Sequence, residues 1–581
     1  MAKAANRRLG ILVVFIAVFT VLFIANRDSR KAVEPASLVL INGKIVTVDP
    51  AGPEASWLAV RGGRIAAIGA DQEGFKRYVG DATEIIDLGG ALTIPGLIES
   101  HGHFTSLGSS KMVLDLTKAR SWDEIVAMAA QAAAAAKPGE WILGRGWHQD
   151  KWDRVPEPSV DGLPVHDALS KATPDNPVLL THASGHYSLA NAKAMELSKI
   201  SKATTDPEGG QIIRDAKGNA IGAFLETAQS LVRYQAGHDT PEEAQTRLRK
   251  QVELASRECL VHGVTTFHDA GNSFATVDLY KKMAEEGALP VRLYVMLGAG
   301  NKALAERGLA YRMIGAIDNH VTVRAIKRLI DGALGAHGAW LLEPYADLPP
   351  DAENPTGLNT EPVDSLRETA KFAIENGFQV GVHAIGDRAN REILNVYEEA
   401  FKAHPDKTGL RWRVEHAQHL ALDDIPRFGR LGVLAAMQGI HCTSDAPWVY
   451  KRLGEKRAAE GAYVWRKLMD TGARISNGTD VPVEPIDPMA CFYATVTRKL
   501  KDGTAFFADQ KMTREEALRS YTINGAYAGF EEDIKGSLTV GKLADITVLG
   551  RDILTCPEDD IPGTEVLYTI VGGKVLYKKG G

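Results

Sequence analysis

Short apolar runs separated by turn residues occupy both ends of the chain. Near the N-terminus they are Leu38–Ile41, Lys44–Val48, Trp57–Val60 and Arg64–Ile68. Near the C-terminus they are Ile546–Leu549, Val566–Val571 and Lys574–Tyr577. Glycine, asparagine or aspartate beside such runs is typical of antiparallel strands. We predict a small composite β-sandwich, built from residues 36–94 and 533–581, where the two chain ends meet.

The long middle of the chain alternates helical periodicity with β-rich runs. Capping residues open three predicted helices at Ser121, Thr240 and Thr513, each with a glutamate three residues later. The helix from Thr240 leads into a strand at residues 264–269. This alternation predicts an α/β fold with a parallel sheet. In such folds polar residues at the C-terminal ends of strands are the best candidates for function.

An uncharged, mostly apolar run covers residues 9–26. As a helix it would be roughly 27 Å long, just short of the hydrocarbon core of a bilayer. Lys3, Arg7 and Arg8 precede it, and no cleavage site is evident after it. We therefore predict a transmembrane helix in residues 1–30, a single-pass anchor with the catalytic domain on the non-cytoplasmic side of a membrane.

Composition narrows the classes of partner. The 581 residues are 45% hydrophobic and 24% charged, with a formal net charge of -6 and no basic stripe. These values are ordinary for a globular protein and argue against nucleic acid as a partner. The four cysteines are far apart in sequence and form no C-x-x-C pair, so neither a zinc knuckle nor a disulfide framework is indicated.

His101 and His103 end the apolar run that begins at Leu92. Alternate side chains of a strand point to one face, so the two imidazoles can reach a single metal ion. Further strand ends carry Lys327, His383, His416 and Asp480. Imidazole and carboxylate suit zinc, manganese, iron or nickel. Lys327 fits beside a dication if it carries its charge away, or as a carbamate, an anion able to bridge two ions.

The motifs resemble those of the amidohydrolase superfamily, specifically the YtcJ-like branch (amidohydrolase 3 family) that includes N-substituted formamide deformylases. The matching stretches include residues 95–103, 327 with 331–332, 382–387, 414–417, 478–484 and 541–545. Together they span nearly everything after the apolar N-terminal run. The resemblance implies a distorted (β/α)8 TIM barrel over residues 95–532, with an insertion at about 105–238 that helps to shape the substrate pocket.

The resemblance also implies individual roles for the six strand-end residues. His101 and His103 would bind the more buried metal ion together with Asp480, and His383 and His416 the more exposed one. Lys327, carboxylated, would bridge two ions. Asp480 would take a proton from the attacking water and pass it to the leaving nitrogen, as a general base and then a general acid.

Four more residues are candidates for the substrate pocket. His186 and His441 are interpreted as pocket residues that contact the substrate carbonyl or the leaving group. His268 ends its predicted strand just before Asp269 and is a similar candidate. Trp147 is a candidate for an apolar pocket wall, although a tryptophan in a large fold is more often part of the core.

These observations lead to one functional hypothesis and two alternatives. We predict a hydrolase that cleaves a non-peptide carbon–nitrogen bond of a small-molecule amide, an N-acyl or N-formyl amide. The attacking group would be a metal-activated hydroxide, and the cofactor would be one or two divalent ions, with zinc as the first choice. One alternative is a mononuclear deaminase or cyclic-amide hydrolase with unmodified Lys327. The other is a ligand-binding or regulatory protein without turnover. The sequence leaves a homodimer open.

Overall fold

Eight parallel strands from the middle of the chain form the central sheet of the computed structural model. Each strand pairs with the next in chain order. From first to eighth they are Leu97–Gly102, Val264–Asn272, Arg292–Leu297, Val321–Leu329, Gln379–Ala384, Arg413–His416, Leu434–Gln438 and Ile475–Gly478. The backbone N–H of Asp480 donates to the carbonyl of His101 at 2.9 Å and brings the first and eighth strands together. The fold is an α/β barrel that is nearly closed.

The structure describes residues 33–149, 152–160, 162–183, 185, 187–207, 210–232, 240–349, 351–352 and 354–580. The barrel strands within these ranges read as continuous apolar runs because both of their faces are covered. In the fourth strand, for example, Val321, Val323 and Ile326 are fully buried. The short antiparallel strand Met313–Gly315 pairs with the fourth strand from outside the barrel.

Helices alternate with these strands. The longer helices are Phe104–Ser110, Trp122–Ala135, Asp167–Ala172, Ala192–Leu197, Pro241–Val261, Phe274–Glu285, Val363–Asn376, Asp387–Ala403, Ile425–Leu431, Gly439–Gly461, Trp465–Asp470, Pro488–Thr497, Arg514–Ser520 and Ile523–Ala528. Shorter helical turns are Gly74–Tyr78, Thr227–Gln229, Asn301–Ala303, Leu304–Gly308, Leu309–Tyr311, Ala316–Asn319, Ala508–Gln510 and Glu558–Asp560. The predicted caps at Ser121, Thr240 and Thr513 are confirmed, since each hydroxyl accepts from the backbone N–H three residues later.

Strands from both chain ends form two further sheets. The four-stranded sheet has the order Arg64–Gly69, Trp57–Arg61, Leu38–Ile41, Glu84–Asp87. The six-stranded sheet has the order Lys574–Lys578, Val566–Val571, Ile546–Leu549, Leu92–Pro95, Lys44–Val46, Glu54–Ala55. Leu40 and Leu58 of the first sheet share one buried cluster with Ile45, Ile546 and Val548 of the second. The two sheets therefore enclose a common core, while the exact domain boundaries stay a prediction.

A separate six-stranded sheet lies between the first and second barrel strands of the sequence. Its order is Gly210–Arg214, Ala220–Glu226, Tyr187–Ala190, Val178–His182, Ile142–Trp147, Leu114–Asp115. The small hairpin Ser159–Val160 and Leu163–Pro164 accompanies it. Trp147, Trp152 and Leu180 are buried in the core of this region. It is the part of the chain in which the sequence predicted an insertion.

The membrane component of the predicted fold class requires correction. Across the described residues, no helix combines the length and the apolar composition that crossing a bilayer requires. Residues 1–30, on which the anchor was predicted from local hydropathy and flanking basic residues, lie outside the described part of the chain. The structure thus gives no support for a transmembrane helix, a membrane partner or a single-pass protein with its catalytic domain on the non-cytoplasmic side, and those predictions are overturned.

Candidate metal centre

Five of the predicted metal ligands converge at the C-terminal ends of the barrel strands. One ligand atom each of His101, His103 and Asp480 lie within 4.8 Å of one another, and so do those of His416, His441 and Asp480. Asp480 belongs to both groups. The ring centroids of His383 and His416 are 4.5 Å apart, which brings His383 to the same place. The strand order accounts for this convergence, because parallel strands end at one mouth of a barrel.

The first group is built by the first strand and by the turn after the eighth. Asp480 Oδ1 lies 3.3 Å from His103 Nε2 and 3.6 Å from His101 Nε2. His103 Nδ1 donates to the carbonyl of Ala270 at 2.9 Å, which leaves Nε2 as the nitrogen that faces Asp480. A hydrogen bond of this kind, from the ring nitrogen that does not face the metal ion, typically orients a histidine ligand.

Two of the predicted metal ligands have strained backbones. His416 has φ 74° and Asp480 has φ 58°, in the left-handed region. For residues other than glycine this conformation costs about 1–3 kcal/mol and is concentrated at functional sites. Glu99, which is buried, accepts from the backbone N–H of Thr479 at 2.7 Å and from its hydroxyl at 2.9 Å. Glu99 therefore fixes the turn that aims Asp480 into the barrel mouth.

Lys327 and His383 complete the set of six. Lys327 Nζ lies 3.4 Å from His101 Nε2 and is buried. Burial lowers the pKa of the Lys327 ammonium. His383 Nε2 lies 3.5 Å from Asp331 Oδ1. Asp331 in turn accepts from the backbone N–H groups of Trp340, Ile385 and Gly386, which ties the loops after the fourth and fifth strands together.

The imidazoles of the site are held neutral. Burial, followed by the nearby Lys327 ammonium, lowers the pKa of His101 to about 4 and that of His383 to about 3. Burial also holds the pKa of His416 well below its usual value, and the neighbouring His383 adds to this effect. A histidine must be neutral to donate a lone pair to a metal ion. The electrostatics of the site therefore favour ligation.

A buried ion pair that was not predicted from the sequence lies beneath His101. Its Nδ1 contacts Glu415 Oε2, and Glu415 lies 2.7 Å from Arg413 Nε. Arg413 Nη2 also donates to the carbonyl of Ser100 at 2.6 Å. The pKa of Glu415 falls to about 2 because the charge of Arg413 and the hydrogen bond with His101 outweigh burial. The sequence did contain a signal for this pair, because Arg413 and Glu415 are two charged residues within a strand of four residues, all of them buried.

The candidate substrate residues are placed differently from one another. His441 is at the mouth, beside His416. His268 lies deeper, where Nδ1 accepts from Arg413 Nη1 at 3.0 Å and the ring is 4.8 Å from that of Tyr294. Trp147 is in the core of the inserted region and donates to the carbonyl of Leu180. His186 lies outside the described residues.

The donor set fits a divalent ion. Asp480 Oδ1 and His383 Nε2 are buried and have no hydrogen-bond partner in the described part of the chain. Buried polar atoms without a partner are costly unless they have another role, and a cation supplies one. Imidazole nitrogens with carboxylate oxygens form the ligand set that zinc and related ions take.

This fold and this cluster of ligands define a metal-dependent hydrolase. The chain belongs to the amidohydrolase family, whose sequence profile matches residues 84–577. It is 33% identical to protein LONG AFTER FAR-RED 3 of Arabidopsis thaliana, over 93% of this chain and 92% of that protein. It is 30% identical to the putative amidohydrolase YtcJ of Bacillus subtilis strain 168, over 92% and 98% respectively.

Two further similarities bear on the chemistry. The N-substituted formamide deformylase of Arthrobacter pascens is 27% identical, over 94% of this chain and 99% of that protein. An uncharacterized metal-dependent hydrolase from Pyrococcus horikoshii OT3 has a TM-score of 0.73 at 27% identity, with 90% of this chain and 99% of that chain covered. The predicted resemblance to the YtcJ-like branch is confirmed. The protein is a metal-dependent amidohydrolase, a hydrolase of carbon–nitrogen bonds other than peptide bonds, with a divalent ion as cofactor and a small molecule as substrate.

Proposed function

We propose that the protein hydrolyses an N-acyl or N-formyl amide and releases a carboxylic acid and an amine. The observation that carries this proposal is the meeting of His101, His103, His416 and Asp480 around one space. The full-length similarity to a protein named N-substituted formamide deformylase supports the choice of bond.

In this proposal each ligand has a place. His101, His103 and Asp480 would hold the more buried ion, and His383 and His416 would hold a second. Lys327, as a carbamate formed when its neutral amine adds to carbon dioxide and loses a proton, would supply an anionic ligand. Zinc is the first choice, with manganese, iron or nickel as alternatives. Such an ion, when bound, makes a water molecule more acidic and polarises a carbonyl group.

Asp480 moves the proton in the proposed reaction. The oxygen of water bonds to the carbonyl carbon, and the carboxylate of Asp480 takes the proton that this oxygen releases. The carbon–nitrogen bond then breaks, and Asp480 returns the proton to the leaving nitrogen. Two features support this role: Asp480 is buried, and its Oδ1 has no hydrogen-bond partner among the described residues.

The inserted region supplies part of the substrate pocket in this proposal. A cavity of about 280 Å³ adjoins the turn after the eighth strand, although none of the six predicted metal ligands lines it. Arg145, Gly146 and Ala183 of the inserted region line it, together with Val481 and Pro482 of the barrel. This size suits a small molecule, since ligand sites are typically about 300–1,000 Å³. His186, His268 and Trp147 stay predictions as substrate-binding residues.

The proposal is tested by measuring the hydrolysis of two anilides and the number of metal ions bound per chain. We expect the purified protein to release 4-nitroaniline from 4-nitroformanilide or 4-nitroacetanilide, which is followed by absorbance. A chelator should abolish the release and zinc should restore it. Elemental analysis gives the number of ions per chain, and added bicarbonate should raise activity if Lys327 must be carboxylated. Ammonia release from an aminopyrimidine, with one ion per chain and no anilide cleavage, would instead favour the mononuclear deaminase.

A further inference from the structure

Two glutamine–histidine pairs lie next to each other at the barrel mouth. One pairs Gln438 with His416, and the other pairs Gln418 with His441. All four side chains are at most 6% exposed. The two pairs differ in which amide atom faces the ring, and this difference sets where each imidazole carries its proton.

In the first glutamine–histidine pair, Gln438 sets which nitrogen of His416 is unprotonated. Gln438 Oε1 lies 2.8 Å from His416 Nδ1, and its Nε2 donates to the carbonyl of Ala436 at 3.2 Å. The amide oxygen can only accept, so His416 Nδ1 carries the proton. A neutral ring then has its lone pair on Nε2, which is the form that binds a metal ion.

The second pair does the opposite. Gln418 Nε2 lies 3.2 Å from His441 Nδ1, and an amide nitrogen can only donate. Nδ1 of His441 must therefore be the acceptor, and the neutral ring carries its proton on Nε2. This Nε2 is buried and has no hydrogen-bond partner in the described part of the chain. His441 thus presents an N–H group at Nε2. If His441 bound a metal ion through Nε2, or if it were an imidazolium, Nδ1 would also carry a proton, and two donors would face each other at 3.2 Å.

The N–H group is close to the proposed reaction. The rings of His416 and His441 are 6.2 Å apart and within 20° of parallel. A ring nitrogen of His441 lies within 4.8 Å of ligand atoms of both His416 and Asp480. A carbonyl carbon attacked by water beside Asp480 would have its oxygen within reach of such a donor.

We propose that His441 donates a hydrogen bond from Nε2 to the carbonyl oxygen of the amide substrate, and that Gln418 is a positioning residue that keeps the proton there. The inference rests on the proposed function. When the oxygen of water bonds to the carbonyl carbon, the π electrons move to the carbonyl oxygen, which becomes negative. The hydrogen bond strengthens at that moment and weakens again when the carbon–nitrogen bond breaks and the carbonyl re-forms. Stabilisation of this kind acts on kcat.

Removing the donor tests the role of His441. For His441→Phe we expect kcat on 4-nitroformanilide to fall about 100- to 1,000-fold, the range for loss of one oxyanion donor, while the metal content per chain stays unchanged. His441→Gln keeps an N–H donor and should recover part of kcat. His419→Phe is the matched control, because His419 is buried and neither of its ring nitrogens has a partner among the described residues. Circular dichroism should show the same fold for all three variants.

Removing the amide tests the role of Gln418. In Gln418→Met no group donates to Nδ1 of His441, so the ring proton is no longer held on Nε2, and we expect kcat to fall about 10- to 100-fold with little change in KM, the range for loss of a partner that orients an imidazole. Gln438→Glu keeps an acceptor at Nδ1 of His416 and should lower kcat less.

Several results would overturn the inference. Loss of metal from His441→Phe would make His441 a ligand, an unchanged kcat in His441→Phe would remove the donor role, and an unchanged kcat in Gln418→Met would remove the positioning role of Gln418. These failures appear only in the variants, with a wild type that cleaves the anilide. A wild-type protein that cleaves neither anilide would overturn the proposed function and this inference together.

Discussion

Two buried aspartates show how the ends of the barrel differ. Asp545, in the loop before the strand Ile546–Leu549, accepts from Arg292 Nε at 2.8 Å, from Arg292 Nη2 at 3.1 Å and from the backbone N–H of Gly572 at 2.8 Å. Asp480, at the mouth, has imidazoles beside Oδ1 and no hydrogen-bond partner for that atom in the described part of the chain.

The difference follows from what each carboxylate is bonded to. The pKa of Asp545 is lowered, against the effect of burial, mainly by the Arg292 guanidinium. Both carboxylate oxygens of Asp545 accept hydrogen bonds from the protein. Because the donors include Arg292, Asp545 joins the third barrel strand to the sheets formed by the chain ends. Asp480 keeps an atom available for a ligand. The same substitution, aspartate to asparagine, should therefore affect different properties at the two ends.

The largest effect is expected for Asp480→Asn on turnover. The amide cannot take a proton from water or return it to the leaving nitrogen, so we expect kcat to fall about 100- to 10,000-fold. The fold should be retained, since Asp480 makes no ion pair with lysine or arginine in the described residues. Anilide hydrolysis and circular dichroism measure the two properties. Near-full turnover would remove Asp480 from its proposed role.

The second effect is expected for Asp545→Asn on stability. The substitution leaves the guanidinium of Arg292 buried without its charged partner, and breaking such a pair typically costs about 3–5 kcal/mol. Urea unfolding followed by circular dichroism should show this loss of unfolding free energy. The kcat of the folded fraction should stay near the wild-type value. A large fall in kcat with unchanged stability would contradict the division of roles between Asp545 and Asp480.

The strand-end rule was sufficient to predict which residues meet at the mouth. His101, His103, His416 and Asp480 could be found from sequence because parallel strands place their C-terminal ends together. His268 could not be separated from His441 in this way. Its strand continues to Asn272 rather than ending at Asp269, so its side chain lies deeper, against Arg413 and Tyr294.

Contacts between distant residues account for the rest. The orientation of the Gln418 amide and the burial of Arg413 against Glu415 depend on neighbours from other strands, and no local pattern encodes them. Trp147 was a candidate pocket wall, but it lies in the core of the inserted region. The predicted anchor rested on the hydropathy and flanking charges of residues 1–30, which lie outside the described residues.

The smallest effect is expected for Asp552→Asn. Its carboxylate pairs with Lys44 Nζ at 2.6 Å, and the two side chains are 25% and 37% exposed. Water screens such a pair, so removing the charge should lower the free energy of unfolding by only about 0.2–1 kcal/mol. The kcat should be unchanged, because Asp552 is in none of the ligand groups at the mouth. Urea unfolding and anilide hydrolysis of this variant give the baseline for an aspartate that takes part neither in the proposed reaction nor in the buried ion pair with Arg292. A stability loss as large as that of Asp545→Asn would mean that burial does not explain the contrast between the two ends of the barrel.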